Sequence, residues 1–183
     1  MGKEISVIGC GRWGMQVIRN LRELQGNSVS AYDTDQSKMN YLGELYPDVI
    51  RKSSYQDILE SDNTTAVYVA TPPASHFETA KLALLHGKHV LVEKPMADRP
   101  DHAAALVDEA ARRKLTLMVD HTFVYTGAVR KIAEIVEVPA ESILIYLVSM
   151  NEGIYRAGRE SLSEIVYKSE NESKNLFVVQ LTE

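Results

Sequence analysis

A chain of 183 residues has room for one full domain and part of a second, since single domains commonly run to about 100–200 residues. Its balance of 45% hydrophobic and 25% charged residues is that of an ordinary globular chain and excludes a disordered or fibrous one. A net charge of −5 with a pI near 5.6 leaves no basic surface to neutralise nucleic-acid backbones or acidic membranes.

Short apolar, β-branched runs alternate with longer amphipathic stretches, the pattern of parallel strands joined by crossover helices. An α/β doubly wound parallel sheet of about six strands is therefore expected. The first strand, over 5–8, runs directly into Gly9-Cys10-Gly11-Arg12-Trp13-Gly14 and a helix over 13–24. A GxGxxG pattern has meaning only in this strand-to-helix setting. There, Gly9 permits the tight turn, Gly11 lets a pyrophosphate approach the backbone, and Gly14 lets helix and strand pack closely. The helix N-terminus offers unpaired N–H groups and positive potential to phosphate, although a purely structural glycine turn has the same residues. Cys10, between two of the glycines, reads as a small filler. As the single cysteine it cannot form an internal disulfide, and the N-terminus has neither a signal pattern nor a bilayer-length apolar run. A reducing, cytoplasmic location is expected.

The second strand, over 28–32, ends at Asp33, roughly 24 residues after Gly9, against about 20 in the general dinucleotide fingerprint. A carboxylate there accepts hydrogen bonds from the ribose hydroxyls of NAD. With Asp35 close behind and no adjacent Lys or Arg in the sequence, it opposes the 2′-phosphate of NADP, so NAD is the expected cofactor. The alternative for either acid is to cap the helix over 36–45, the role read for Asp35. A weak strand near Val49 and a short helix over 55–59 follow.

The fourth strand, over 66–70, ends in Thr71-Pro72-Pro73, then Ala74-Ser75-His76 and a helix over 77–86. Ligands of open α/β sheets sit beyond the carboxyl ends of the strands, so this stiff loop either forms a wall against a flat ring or is a strand-to-helix turn with Ser75 as cap. His76, at the helix start, reads as a surface or turn histidine rather than a catalyst, but one within the cofactor loop. The fifth strand, over 89–92, ends in Glu93-Lys94-Pro95. A charged pair at that edge is poor core material. A positively charged nicotinamide beside Lys94 disfavours its ammonium form, which suits proton transfer or hydroxyl orientation. A surface turn stopped by proline is the structural alternative.

A helix over 101–113, with Pro100 suited to its first turn, leads to a sixth strand over 115–119. Asp120-His121 then either reaches a substrate or holds a domain junction. A helix over 128–137 and strands over 142–149 and 177–181 complete the reading, with a Ser-, Glu- and Asn-rich texture through 161–175. No metal-spaced Cys/His cluster and no acyl-transfer triad is present, so no metal is expected.

In this order, the glycine loop, Asp33, Thr71-Pro72-Pro73 and Glu93-Lys94-Pro95 resemble the Gfo/Idh/MocA family of oxidoreductases over about residues 5–138. The resemblance implies a Rossmann domain over 1–120 and, over 121–183, a fragment of a second α/β domain. It also implies hydride exchange between NAD(P) and a sugar or polyol hydroxyl. Lys94 matches the lysine that contacts the reacting hydroxyl. The expected cofactor set is Gly9, Gly11, Arg12, Trp13, Gly14, Asp33, Thr71, Pro72, Pro73, His76, Glu93 and Lys94. Val119 to Phe123 and Ala128 to Ile132 look like members acting on nucleotide sugars such as UDP-N-acetylglucosamine.

The family's second domain brings a glycine-rich segment with an Asp and a His. Here no histidine follows His121 and no glycine follows Gly158. About 60 residues from His121 is also less than an independent core usually needs. The C-terminal part is expected to be truncated or altered, with the substrate side and the homo-oligomer interface incomplete. The rival to an enzyme is a non-catalytic dinucleotide-binding or redox-sensing module.

Overall fold

In the computed structural model, residues 3–24 and 27–136 are described. Six strands lie parallel in one sheet: β1 (Lys3–Ile8), β2 (Asn27–Tyr32), β3 (Ile50–Arg51), β4 (Thr64–Val69), β5 (His89–Val92) and β6 (Leu117–Val119). Their order is β3-β2-β1-β4-β5-β6. The chain builds outward from β1 in one direction, crosses back to β4, and builds outward in the other. That reversal opens a crevice beyond the carboxyl ends of β1 and β4. Ile8 is level with Tyr32 on one side and Val69 on the other, and Val69 with Val92. The loops that follow these strands therefore emerge along one edge.

Helices α1 (Arg12–Glu23), α2 (Gln36–Leu45), α3 (Tyr55–Leu59), α4 (His76–Leu85) and α5 (Pro100–Arg113) make the crossovers. Alternation along the strands divides the core between two faces. Val7, Val29, Ala31 and Tyr68 pack with Ile18 of α1 and with Met39 and Leu42 of α2. Val67, Val69, Val90 and Val92, all buried, point to the other face. There α4 lies against β4 and β5 and against α5. Burial on both faces explains why these strands read as nearly unbroken apolar runs. At the opposite edge of the sheet, buried Glu4 accepts from the Thr64 hydroxyl at 2.6 Å and pairs with Lys52 at 2.9 Å. These bonds tie β1 to β4 and to the segment after β3.

The family-like architecture expected from the sequence is present, with local shifts. The weak strand near Val49 is the two-residue β3, and β6 is shorter than the expected 115–119 because Lys114 and Leu115 still close the end of α5. Pro100 occupies the first turn of α5. Met1–Asp120 is one compact unit and carries the whole sheet. The second unit begins at His121. Its described part is a 3-10 turn (Thr122–Tyr125) and α6 (Gly127–Val136), with the Arg130 guanidinium over the Tyr125 ring. The strands expected over 142–149 and 177–181 lie outside the described residues. Among the described residues, no helix is long and apolar enough to cross a membrane.

Helix α5 ends on Lys114 in the left-handed region, φ 58° and ψ 38°, a conformation that glycine adopts without a Cβ penalty. Lys114→Gly is expected to raise the urea midpoint, adding about 0.5–1 kcal/mol of stability. A lower midpoint would contradict the strain assigned to this residue.

Candidate active site

The glycine loop is shaped by two contacts that leave no room for a side chain. Gly9 has φ +97°, and a Cβ there would stand 2.5 Å from the Ala70 carbonyl oxygen; a Cβ on Gly14 would stand 1.8 Å from the Gly9 carbonyl oxygen. The first turn of α1 thus lies on the loop, and the loop lies on the end of β4. Gly11 differs: a Cβ there meets nothing within 4 Å. Its glycine keeps space open in front of the helix, the cradle that a pyrophosphate needs. Gly11 is also the N-cap of α1 and has no side chain to satisfy the first-turn N–H groups. The dinucleotide phosphates fit this donor set. Arg12 and Trp13 are exposed, Trp13 by 54%, with the Arg12 guanidinium 5.7 Å from the indole centroid. Cys10 is buried, with Sγ 3.8 Å from Met39 Sδ. Burial, with the nearby Asp33 carboxylate, pushes its thiol up to about 12, so it remains a neutral filler.

Asp33 does more than end β2. Its carboxylate accepts from the Cys10 N–H at 2.8 Å and from the Asp35 N–H at 2.8 Å, and it pairs with Lys38 Nζ at 3.1 Å. Its side chain is 8% exposed and that of Lys38 43%. Burial alone would raise the carboxyl; the two backbone donors and the ammonium outweigh it and hold the group below its ordinary value. Lys38 corrects the expectation that no cation stands near Asp33. It is remote by five positions in sequence, but the first turn of α2 brings it back over the carboxylate. Asp35 is the N-cap of α2, accepting from Ser37 N–H at 2.9 Å.

On the other side of the crevice, exposed Pro72 and Pro73 lead into a 3-10 turn, Pro73–Ser75, before α4. Ser75 stands at the N-cap position, but its hydroxyl turns back to Thr71 Oγ1 and the Pro72 carbonyl, both at 2.8 Å. It therefore braces the loop and does not cap the helix. His76 is not a surface histidine. It is 1% exposed, because the 3-10 turn directs the first residue of α4 inward beneath the sheet edge. Its Nε2 lies 2.7 Å from the Thr71 carbonyl oxygen and its Nδ1 2.7 Å from the Pro95 carbonyl oxygen. Carbonyls only accept, so a ring protonated on one nitrogen donates one of these bonds and a ring protonated on both donates both.

Beyond β5, Lys94 is exposed and makes no hydrogen bond or ion pair among the described residues; the Lys94–Pro95 peptide is cis. Glu93 points the other way. The Tyr68 hydroxyl lies 2.5 Å from Glu93 Oε1 and 2.9 Å from Asp120 Oδ2, which joins the ends of β4, β5 and β6. Burial and the Glu93 carboxylate push the Tyr68 phenol up. Sequence reading passed over Tyr68 as strand core; its hydroxyl, near the end of an apolar strand at the ligand edge, was the available signal. Among the described residues, no group of three or more His, Cys, Asp or Glu could hold a metal ion.

A family model described as an oxidoreductase family with an NAD-binding Rossmann fold matches residues 3–121. An uncharacterised oxidoreductase of Synechocystis is 30% identical over 132 residues, 72% of this chain and 36% of that protein. The dTDP-3,4-didehydro-2,6-dideoxy-alpha-D-glucose 3-reductase of Streptomyces violaceoruber is 37% identical over 86 residues, 47% of this chain and 25% of that protein. Among solved structures, the 3-ketoreductase KijD10 of Actinomadura kijaniata, in complex with NADP and TDP-benzene, superimposes with a TM-score of 0.67. It is 27% identical, and the match covers 75% of this chain and 42% of KijD10. The chain thus spans little more than a third of the Synechocystis relative.

Because Asp33 is held below its ordinary value, the stability that it contributes is fully present above the usual aspartate range and is lost as pH falls through the depressed value. Asp33→Ala leaves the Cys10 and Asp35 N–H groups without their acceptor, and is expected to cost about 1–3 kcal/mol at pH 7. The gap between wild type and variant in urea denaturation should narrow in acid. Equal stability at pH 7 would remove this role.

Proposed function

The chain belongs to the Gfo/Idh/MocA family of oxidoreductases, and on that premise we propose that it binds NAD(H) and serves hydride exchange with a sugar or nucleotide-sugar hydroxyl. The observation that carries this reading is the uncapped N-terminus of α1, open in front of Gly11, with Asp33 to one side and, to the other, Lys94, which makes no hydrogen bond or ion pair among the described residues. The pyrophosphate lies against the glycine loop, with Arg12 and Trp13 at its exposed rim. Asp33 receives the adenosine ribose hydroxyls. Thr71, Pro72 and Pro73 wall the nicotinamide half, with Glu93 and Lys94 beside it.

When bound, the nicotinamide supplies the acceptor or donor of the hydride. The protein's own part is positional and acid–base. Lys94 orients the substrate hydroxyl and, in oxidation, takes its proton as the carbon-bound hydrogen leaves with its electron pair; in reduction it returns that proton. Holding the reacting groups in register supplies much of the rate. The nucleotide-sugar substrate class is supported by the name of the Streptomyces relative and by the TDP-benzene bound to KijD10.

Lys38 bears on the choice of nucleotide. A ribose hydroxyl that donates to Asp33 displaces the ammonium, whereas a 2′-phosphate attracts it. NAD remains the preferred cofactor because the Asp33 carboxylate is buried and fixed, while the cation that opposes it is half-exposed.

Calorimetric titration is expected to give tighter binding of NADH than of NADPH. Lys38→Ala should widen that preference by about fivefold, the order of one exposed charge contact; a preference that narrows would refute this account of Lys38. Incubation with NAD and a panel of nucleotide sugars and polyols should produce NADH absorbance. Lys94→Met should lower that turnover by about 100-fold or more with NADH affinity little changed. Binding without turnover from any of the panel is the result for a non-catalytic dinucleotide-binding module.

A further inference from the structure

Two segments bound the nicotinamide half of the proposed site, Thr71-Pro72-Pro73 after β4 and Glu93-Lys94-Pro95 after β5. Three of these six residues are proline, which has no N–H, so the segments have few backbone donors with which to hold each other. The missing donors come from a side chain. His76, 1% exposed, reaches Thr71 O of the first segment and Pro95 O of the second, both at 2.7 Å. One ring thereby spans the two loops from below while leaving their exposed sides to a ligand. Around it the loops have their own internal braces. Ser75 Oγ holds Thr71 Oγ1, and Met96 and Ala97, directly after Pro95, are buried. At its base the second segment is tied to β4 through the Glu93 N–H to Val69 O bond and the Tyr68 hydroxyl; farther out, the imidazole links Thr71 to Pro95.

We propose that His76 is a positioning residue that sets the spacing of these two segments, and so fixes the nicotinamide half of the cofactor, while the adenosine half is held independently. The inference rests on the proposed cofactor reading. Asp33 and the glycine loop lie on the β1 and β2 side of the crevice, whereas both His76 partners lie on the β4 and β5 side. The glycine loop meets the β4 end at Ala70 and Thr71 N, where the Ala70 N–H to Ile8 O bond of the sheet holds the backbone, so loosening the clamp displaces Lys94 and the proline wall more than the pyrophosphate cradle. His76 acts through Lys94 and the wall, not on the substrate.

The full chain can be titrated with NADH and with ADP-ribose, which contains the adenosine and pyrophosphate but no nicotinamide. His76→Phe keeps a ring of similar size and removes the nitrogens that face the two carbonyls. It is expected to weaken NADH about tenfold or more, as befits lost buried hydrogen bonds, with ADP-ribose affinity kept within about twofold. His76→Gln, which keeps an amide donor, should fall between His76→Phe and wild type for NADH and match wild type for ADP-ribose. In wild type, the ring N–H resonances of His76 should shift on adding NADH and stay unmoved by ADP-ribose, a measurement that needs no variant. Equal loss of both ligands, no loss of either, or ring resonances that respond alike to both would overturn the proposal. Wild-type protein that binds neither ligand would instead refute the cofactor reading itself.

Discussion

The site depends on a place where backbone meets backbone with no side chain between. The first turn of α1 rests on the Gly9 carbonyl, and Gly9 rests on the Ala70 carbonyl at the end of β4. Any Cβ at residue 9 or 14 would collide with a carbonyl that cannot yield cheaply. This stacking brings the positive end of α1 to the point where the sheet reverses direction. The open space before Gly11, the approach of Asp33 to Cys10 N–H, and the placing of the β4 and β5 loops opposite them all follow from it.

The two sides of the crevice are held by different means. On the β2 side one carboxylate gathers two backbone donors and an ammonium. On the β4 and β5 side the loops are proline-rich and carry acceptors, and the donors come from His76 and Tyr68. Neither side contains groups arranged for a metal among the described residues. Lys94, exposed beyond β5, makes no hydrogen bond or ion pair among the described residues.

Most of the fold could be read from the chain because the signals were local. Alternating apolar runs marked the strands, glycines marked the loop after β1, and Pro100 marked the start of α5. Asp33, Lys94 and the two proline segments were singled out as candidates by their place at strand ends. What escaped depended on packing. Lys38 is not adjacent to Asp33 in sequence, and only the first turn of α2 carries it back over that carboxylate. His76 looked like a turn residue, because nothing in its neighbours announces that a 3-10 turn will push it inward. Ser75 occupied the position of a helix cap, yet its hydroxyl had nearer acceptors in Thr71 and Pro72. Tyr68 was hidden by an apolar strand, and its role needed Glu93 and Asp120, 25 and 52 positions away.

That reliance on distant partners has a consequence for how the protein assembles. One of the two neighbours of β1 is β4, with Glu4 opposite Thr64, so closing a loop of about 60 residues is needed before the glycine turn can press on Ala70. A segment containing only β1, α1 and β2 has the whole glycine motif but lacks the wall that shapes it. Shaping of the glycine turn therefore waits on the pairing of β1 with β4, and a ligand that binds only the shaped turn would stabilise the Met1–Asp120 unit as a whole. The contact order of a crossover-linked parallel sheet sets the pace at which that unit becomes able to bind.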